Sequence, residues 1–133
     1  MTDSEIVNKP FHYTSNPSGI ECIEFAEQLN FNLGNAFKYL WRHQLKGRPA
    51  KDLLKAIWYL EREQSRTGPK FYTFDTTVAY FDKVQMDEDL QSIQLAMRLI
   101  LSAASVTGTL ADLVGAVACI RYHMEQNGYT AVE

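Results

Sequence analysis

The chain has 133 residues, 15.2 kDa and 46% hydrophobic residues, which suffices for one domain with a buried core but not comfortably for two. Its formal net charge of −3 and sequence pI near 5.6 argue against a protein whose whole surface grips a nucleic-acid backbone. We therefore expect a single domain over residues 1–133 that does not recognise nucleic acid sequence-specifically.

Charge is distributed unevenly along the chain. Residues 38–70 contain nine basic and three acidic side chains, whereas residues 85–133 contain two basic and six acidic ones. A positive segment on an acidic body suits a small anionic ligand better than a duplex.

Cysteine usage and terminal composition predict the cytosol as the location. Cys22 and Cys119 each lie in an apolar helical pattern without a CxxC or Cys-His cluster, which is typical of buried free thiols. The N-terminal stretch MTDSEIVNKP lacks the apolar run of a signal peptide, and the uncharged stretch at 99–111 is too short to cross a bilayer. No membrane partner is expected.

The N-terminal third predicts an irregular arm followed by a short helix. Residues 1–18 contain turn signals around PFHYT, so they form an arm that carries His12 and Tyr13. A helix over residues 20–29 should follow, capped by Ser18 and with acidic side chains on its outer face.

Residues 34–60, GNAFKYLWRHQLKGRPAKDLLKAIWYL, predict two helices joined by a Gly-Pro turn. The first runs from Leu33 to residue 45 or 46 with its cap at residues 30–32, and the second starts near Pro49 and ends near Arg66. Opposite the apolar stripes, one helix carries Asn35, Lys38 and Arg42, and the other carries Lys55, Tyr59 and Arg62. Two basic faces edged with aromatic rings can meet around one anion.

The C-terminal half predicts a connector and two apolar helices. The alternating segment 70–86 has no second strand to pair with, so an ordered aromatic connector with one short helix is favoured. A helix from about 88 to 105 follows, and Thr109 caps a last helix that Asn127 and Gly128 close. The predicted fold is an all-α bundle of about five helices.

The helical pair at 87–128 also predicts a homo-oligomer. Leucine, isoleucine and methionine extend most of the way around its first helix, and Ala111, Gly115 and Cys119 form a ridge of small residues on the second. A helix that is apolar on all sides needs cover on all sides, which a second subunit can supply.

Known catalytic motifs are missing from the sequence. It contains no P-loop, GxGxxG, HExxH or GxSxG motif and no zinc-ligand spacing. Any nucleotide chemistry must therefore use helix faces.

Four motifs in order carry a family resemblance: KPFHYT, GIECIEF, GNAFKYLWR and KGRPAKDLLKAIWYLER. Over residues 8–64 the chain resembles the SaV-like, or phage nucleotide kinase-like, family of small bacteriophage proteins, once described only as a domain of unknown function. The resemblance implies a phage origin and a bacterial host cytosol. For the kinase branch of the family it implies phosphoryl transfer to deoxynucleoside monophosphates without a Walker loop.

The residue types agree with a nucleotide ligand. Ammonium and guanidinium groups suit phosphate, aromatic faces suit a base, and Mg²⁺ with ATP would need carboxylates. The candidate phosphate ligands are Lys38, Arg42, Arg48 and Lys55. The candidate base and sugar ligands are His12, Tyr13, Asn35, Tyr39, Trp58 and Tyr59, and the candidate metal ligands are Glu21, Glu24 and Asp52.

Several functions remain open at this stage, and no catalytic residue is identified. A P-loop-less nucleoside monophosphate kinase is the most specific hypothesis. The alternatives are a non-catalytic oligomeric sponge for a cyclic nucleotide or ADP-ribose signal of host anti-phage defence, a MazG-like nucleotide pyrophosphatase, and a protein that docks an acidic host protein. The same positions also have ordinary interpretations, since Lys38 with Arg42 can be a solvated helix face and Trp41 a core residue.

Overall fold

The computed structural model describes residues 16–43, 49–66 and 75–129. Within these ranges it contains six α-helices and one 3-10 turn and no strand, which confirms the all-α prediction. The helices are α1 (Ile23–Ala26), α2 (Phe31–Arg42), α3 (Pro49–Ser65), α4 (Asp75–Phe81), α5 (Gln91–Ala103) and α6 (Leu110–Gln126).

Helix α1 is much shorter than the predicted helix over 20–29. Hydrogen bonds from Glu24 N to Glu21 O and from Gln28 N to Phe25 O join residues three apart, so both ends are 3-10 turns. The predicted cap, Ser18, instead bonds to Asn16 and accepts from Ile20 N at 3.2 Å. The side chain of Ser18 therefore stabilises a turn that precedes the helix.

Helices α2 and α3 form the predicted antiparallel hairpin. Asn30 caps α2, because its Oδ1 accepts from Leu33 N at 2.9 Å, and Pro49 begins α3. Asn30 Nδ2 also donates to Glu63 Oε2 at 2.8 Å, which ties the start of α2 to the end of α3. Gly47, the glycine of the predicted Gly-Pro turn, lies outside the described residues.

The buried face of α2 packs into an aromatic core. The Phe25, Phe37 and Phe81 rings contact one another at centroid distances of 5.4–5.7 Å, and all three are fully buried. Trp41 is half-buried against Phe25 and Phe37, so its position in the apolar stripe is confirmed.

Helix α4 is the short helix expected within 70–86; residues 70–74 lie outside the described part. Arg98 of α5 pairs with Asp82, Nε to Oδ1, at 3.1 Å. The lone charge of the apolar helix therefore has a partner, and that partner precedes α5 in sequence.

Helices α5 and α6 pack closely along one another. A 3-10 turn over Glu88–Leu90 precedes α5, and Thr109 caps α6 as predicted. Asp112 completes a capping box with Thr109. A Cβ added at Gly115 would lie 3.3 Å from Leu99 Cδ1, so the small-residue ridge does allow a close approach. Gly128, at φ +67°, closes α6 with the left-handed conformation that glycine adopts readily.

Helices α5 and α6 carry both buried and exposed apolar side chains. Ile93, Met97 and Ile100 are fully buried, whereas Leu110 and Val114 stay more than half exposed. None of the described helices is both long enough and apolar enough to span a bilayer.

Candidate functional site

Three cations surround one aromatic ring where α2 faces α3. Around the Tyr39 ring centroid, Arg42 Cζ lies at 4.6 Å, Lys38 Nζ at 4.9 Å and Lys55 Nζ at 5.3 Å. The first two come from α2 and the third from α3, so the hairpin brings them together. We call Lys38, Tyr39, Arg42, Lys55 and Tyr59 the Tyr39 cluster.

The aromatic part of the cluster continues along α3. Tyr39 stacks on Tyr59 at a centroid distance of 6.0 Å and an angle of 15°. Trp58 and Phe31 both meet Tyr59 edge-to-face, at 5.0 and 6.0 Å. Trp58 is 60% exposed and Phe31 is 75% exposed, so both rings offer surface to a ligand.

The positive charges are only partly neutralised by the protein. Arg42 Nη2 lies 3.4 Å from Asp52 Oδ1 in an ion pair whose side chains are mostly buried. Neither Lys38 nor Lys55 forms an ion pair with another described residue. With respect to the described residues, the face therefore keeps about two uncompensated positive charges next to exposed aromatic rings.

Asp52 is buried in the interior of the hairpin. The residue is 5% exposed, and its Oδ2 has no hydrogen-bond partner within the described residues. Because the other oxygen lies against Arg42, this carboxylate holds the guanidinium beside Tyr39.

The carboxylate of Glu24 is engaged elsewhere. Its Oε2 accepts from Glu21 N at 2.6 Å and its Oε1 accepts from Tyr80 OH at 2.7 Å. The second bond raises the pKa of the Tyr80 hydroxyl above its usual value. Among the described residues, no three His, Cys, Asp or Glu side chains are grouped to hold a metal ion, so Glu21, Glu24 and Asp52 are not brought together.

Of the remaining predicted residues, one is bonded to the backbone of its own helix and the others lie outside the described residues. Asn35 Nδ2 donates to Phe31 O at 2.8 Å, so half of its amide serves the helix it belongs to. His12, Tyr13 and Arg48 fall in ranges that the structure does not describe.

Phe31 is a candidate that sequence reasoning missed. It comes immediately after the cap Asn30 and falls outside the apolar stripe of α2, which includes Leu33, Phe37 and Leu40. A large aromatic side chain off the buried stripe was the available signal.

Comparison with known proteins gives one match. A family model described as "Protein of unknown function (DUF3310)" matches residues 7–61, the range that contains the whole Tyr39 cluster. No curated protein and no solved structure matches the chain.

Proposed function

We propose that the Tyr39 cluster binds the phosphate of a nucleotide. The observation that carries this proposal is the convergence of Lys38, Arg42 and Lys55 within 5.3 Å of one ring centroid. Like charges this close repel each other, and the ring quadrupole offsets only part of that repulsion. A dianionic group would relieve the remainder, and phosphate is such a group.

The exposed aromatic rings beside the cluster offer stacking surfaces for the base of a nucleotide. Tyr39 has three cations and Tyr59 against it, so a base has better access to Trp58 and Phe31. Stacking of a base on an exposed ring contributes about 1–3 kcal/mol in single-strand binding proteins. We therefore assign phosphate binding to the Tyr39 cluster and base binding to the two exposed rings.

Sequestration is the use of this site that needs no further residues. A sponge for a cyclic nucleotide or ADP-ribose needs cations, which the Tyr39 cluster supplies, and stacking surfaces, which Trp58 and Phe31 supply. Two of the three candidate acids have other partners in this structure, because Asp52 pairs with Arg42 and Glu24 accepts from Tyr80. Assembly of the sponge into a homo-oligomer would use the exposed Leu110 and Val114 of α6.

A kinase is the second candidate, and the family resemblance over residues 8–64 favours it. Phosphoryl transfer between ATP and a deoxynucleoside monophosphate needs charge neutralisation, which the three cations could provide together with Mg²⁺. A MazG-like pyrophosphatase would also need metal-held carboxylates.

One experiment separates these functions. The protein is titrated calorimetrically with each deoxynucleoside monophosphate, ATP, cyclic AMP and ADP-ribose, and is then incubated with ATP, Mg²⁺ and each monophosphate. Binding without a diphosphate product supports sequestration, and a diphosphate product supports the kinase. Absence of heat with every compound would contradict the nucleotide site itself.

Glu21→Ala is the cleaner test of metal-dependent turnover. Glu21 is half-buried and its side chain has no partner role in the hydrogen bonds described above, whereas Asp52 is buried in an ion pair. If the protein has kinase activity, loss of the diphosphate product in Glu21→Ala with unchanged nucleotide affinity would identify Glu21 as a metal ligand. Unchanged turnover would show that Glu21 takes no part in the reaction.

A further inference from the structure

A cavity of about 350 Å³ lies beside the C-terminal end of α2. Trp41 and His43 form one side, and residues 84–87 together with Leu90 and Met97 form much of the rest. Small-molecule sites in proteins have volumes of roughly 300–1,000 Å³, so this space is large enough for a single ring system.

The cavity differs in charge from the Tyr39 cluster. The ten lining residues within the described part of the chain include no lysine or arginine, and the one formally charged group among them is the carboxylate of Asp87. Met97, Leu90 and Val84 are buried apolar residues, and Trp41 adds a half-buried aromatic surface. The walls therefore suit an uncharged or cationic ring and disfavour an anion.

One rim of the cavity is held in place by hydrogen bonds. Asn16 Nδ2 donates to Gln85 O at 2.7 Å, and Asn16 Oδ1 accepts from Gln85 N at 3.3 Å. Asn16 Oδ1 also accepts from Ser18 N and Ser18 Oγ. Two segments distant in sequence are thus joined, so a ligand would meet a rim that is already formed.

His43 forms part of this wall as an uncharged ring. The residue is 1% exposed, and its Nδ1 lies 2.6 Å from Leu40 O. Because a carbonyl only accepts, Nδ1 is the donor, and burial lowers the pKa of the ring below its usual value. The neutral ring therefore adds no positive charge to the wall, and its Nε2 is buried without a hydrogen-bond partner among the described residues.

We infer that this cavity is a second binding site, for a planar aromatic molecule that carries N–H donors, such as an amidine or an amino-heterocycle. The ring would pack against Trp41, and the donors would face the exposed carboxylate of Asp87. This inference does not depend on the nucleotide site, because it uses different residues and the opposite charge preference.

The test uses benzamidine and benzoate, two planar probes of similar shape and opposite charge. The Trp58→Phe variant leaves Trp41 as the single tryptophan, and its indole N–H signal is followed by NMR during each titration. We expect a saturable shift with benzamidine and an affinity for benzoate at least about tenfold weaker. Equal affinities, or no shift with benzamidine, would overturn the inference.

Two further variants locate the binding. Asp87→Asn should weaken benzamidine by about two- to fivefold, the effect of one exposed charge, whereas the matched Glu88→Gln, next to it but not in the lining, should not. Met86→Trp obstructs the rim from a half-buried position and should abolish the Trp41 shift. Equal effects of the two charge variants, or retained binding in Met86→Trp, would place the probe elsewhere and refute the site.

Discussion

At the scale of single residues, the Arg42–Asp52 pair links the fold to the candidate site. Both side chains are mostly buried, at 14% and 7% exposure, so neither charge is well screened by solvent. Asp52 therefore stabilises the guanidinium in the place where Tyr39 contacts it. The pair thus connects the buried interior of the hairpin with the Tyr39 cluster.

Removing one partner of this pair should be costly. We expect Asp52→Ala to lower the free energy of unfolding by about 3 kcal/mol, because it leaves the buried guanidinium without its carboxylate. Urea denaturation measures this, and the double variant Arg42→Met/Asp52→Met should recover part of the loss. A loss below about 1 kcal/mol would mean that the pair behaves like a surface ion pair.

At the scale of helices, local capping chemistry determines where several elements begin. A cap within residues 30–32 and a cap at Thr109 were predicted from the sequence and are confirmed, because a cap needs only a side chain and a backbone N–H a few residues away. The role of Asp112 in a capping box with Thr109 was not predicted. The length of α1 was predicted wrongly, since its apolar periodicity does not report the 3-10 hydrogen bonds at its ends.

The cap of α6 gives a direct test at this scale. Thr109→Ala removes the hydroxyl from the capping box and should cost about 1 kcal/mol of stability, whereas Thr109→Ser keeps the hydroxyl and should remain close to the parent. Thermal or urea denaturation of both variants measures the difference. Equal stability of the alanine and serine variants would show that the hydroxyl does not contribute.

The candidate site was only partly predictable, because local sequence patterns do not report how two helices are placed against each other. Helical spacing placed Lys38, Arg42 and Lys55 on the facing sides of a hairpin, and the structure brings them together. Spacing could not show that Tyr39 lies at the centre or that Asp52 is buried, because these depend on the relative rotation and register of two helices.

At the scale of the whole molecule, the ionisable groups predict how stability responds to acid. Burial would raise the pKa of Glu63, but hydrogen bonds from Arg66, Asn32 and Asn30 together lower it. Burial lowers the pKa of His43, and also that of His123, whose ring lies 5.7 Å from that of His43. In all three cases the unfolded chain takes up the proton at a higher pH than the folded protein.

Stability should therefore fall in two steps on acidification. The first begins as the pH drops below the usual histidine value of 6.5 and continues towards the lower folded pKa values; the second begins below the usual glutamate value of 4.5. Urea denaturation at closely spaced pH values measures both steps, and Glu63→Gln should remove its contribution to the second only. A free energy of unfolding that stays constant from about pH 7.5 to about pH 5.5, the range in which histidine ordinarily titrates, would contradict the first step.

The molecule as a whole presents a cationic aromatic face and an acidic remainder, and its proposed use is to bind a nucleotide phosphate at that face. The most direct measurement is calorimetric affinity for the tightest-binding nucleotide in Lys38→Met/Lys55→Met, compared with the control Lys51→Met/Lys83→Met. The control removes the same charge from two lysines that are not among the three cations around the Tyr39 ring. The account predicts that the first variant loses at least about tenfold in affinity, as expected for charge-assisted contacts to phosphate, while the control stays near the parent. Equal losses in both variants, or no loss in either, would contradict it.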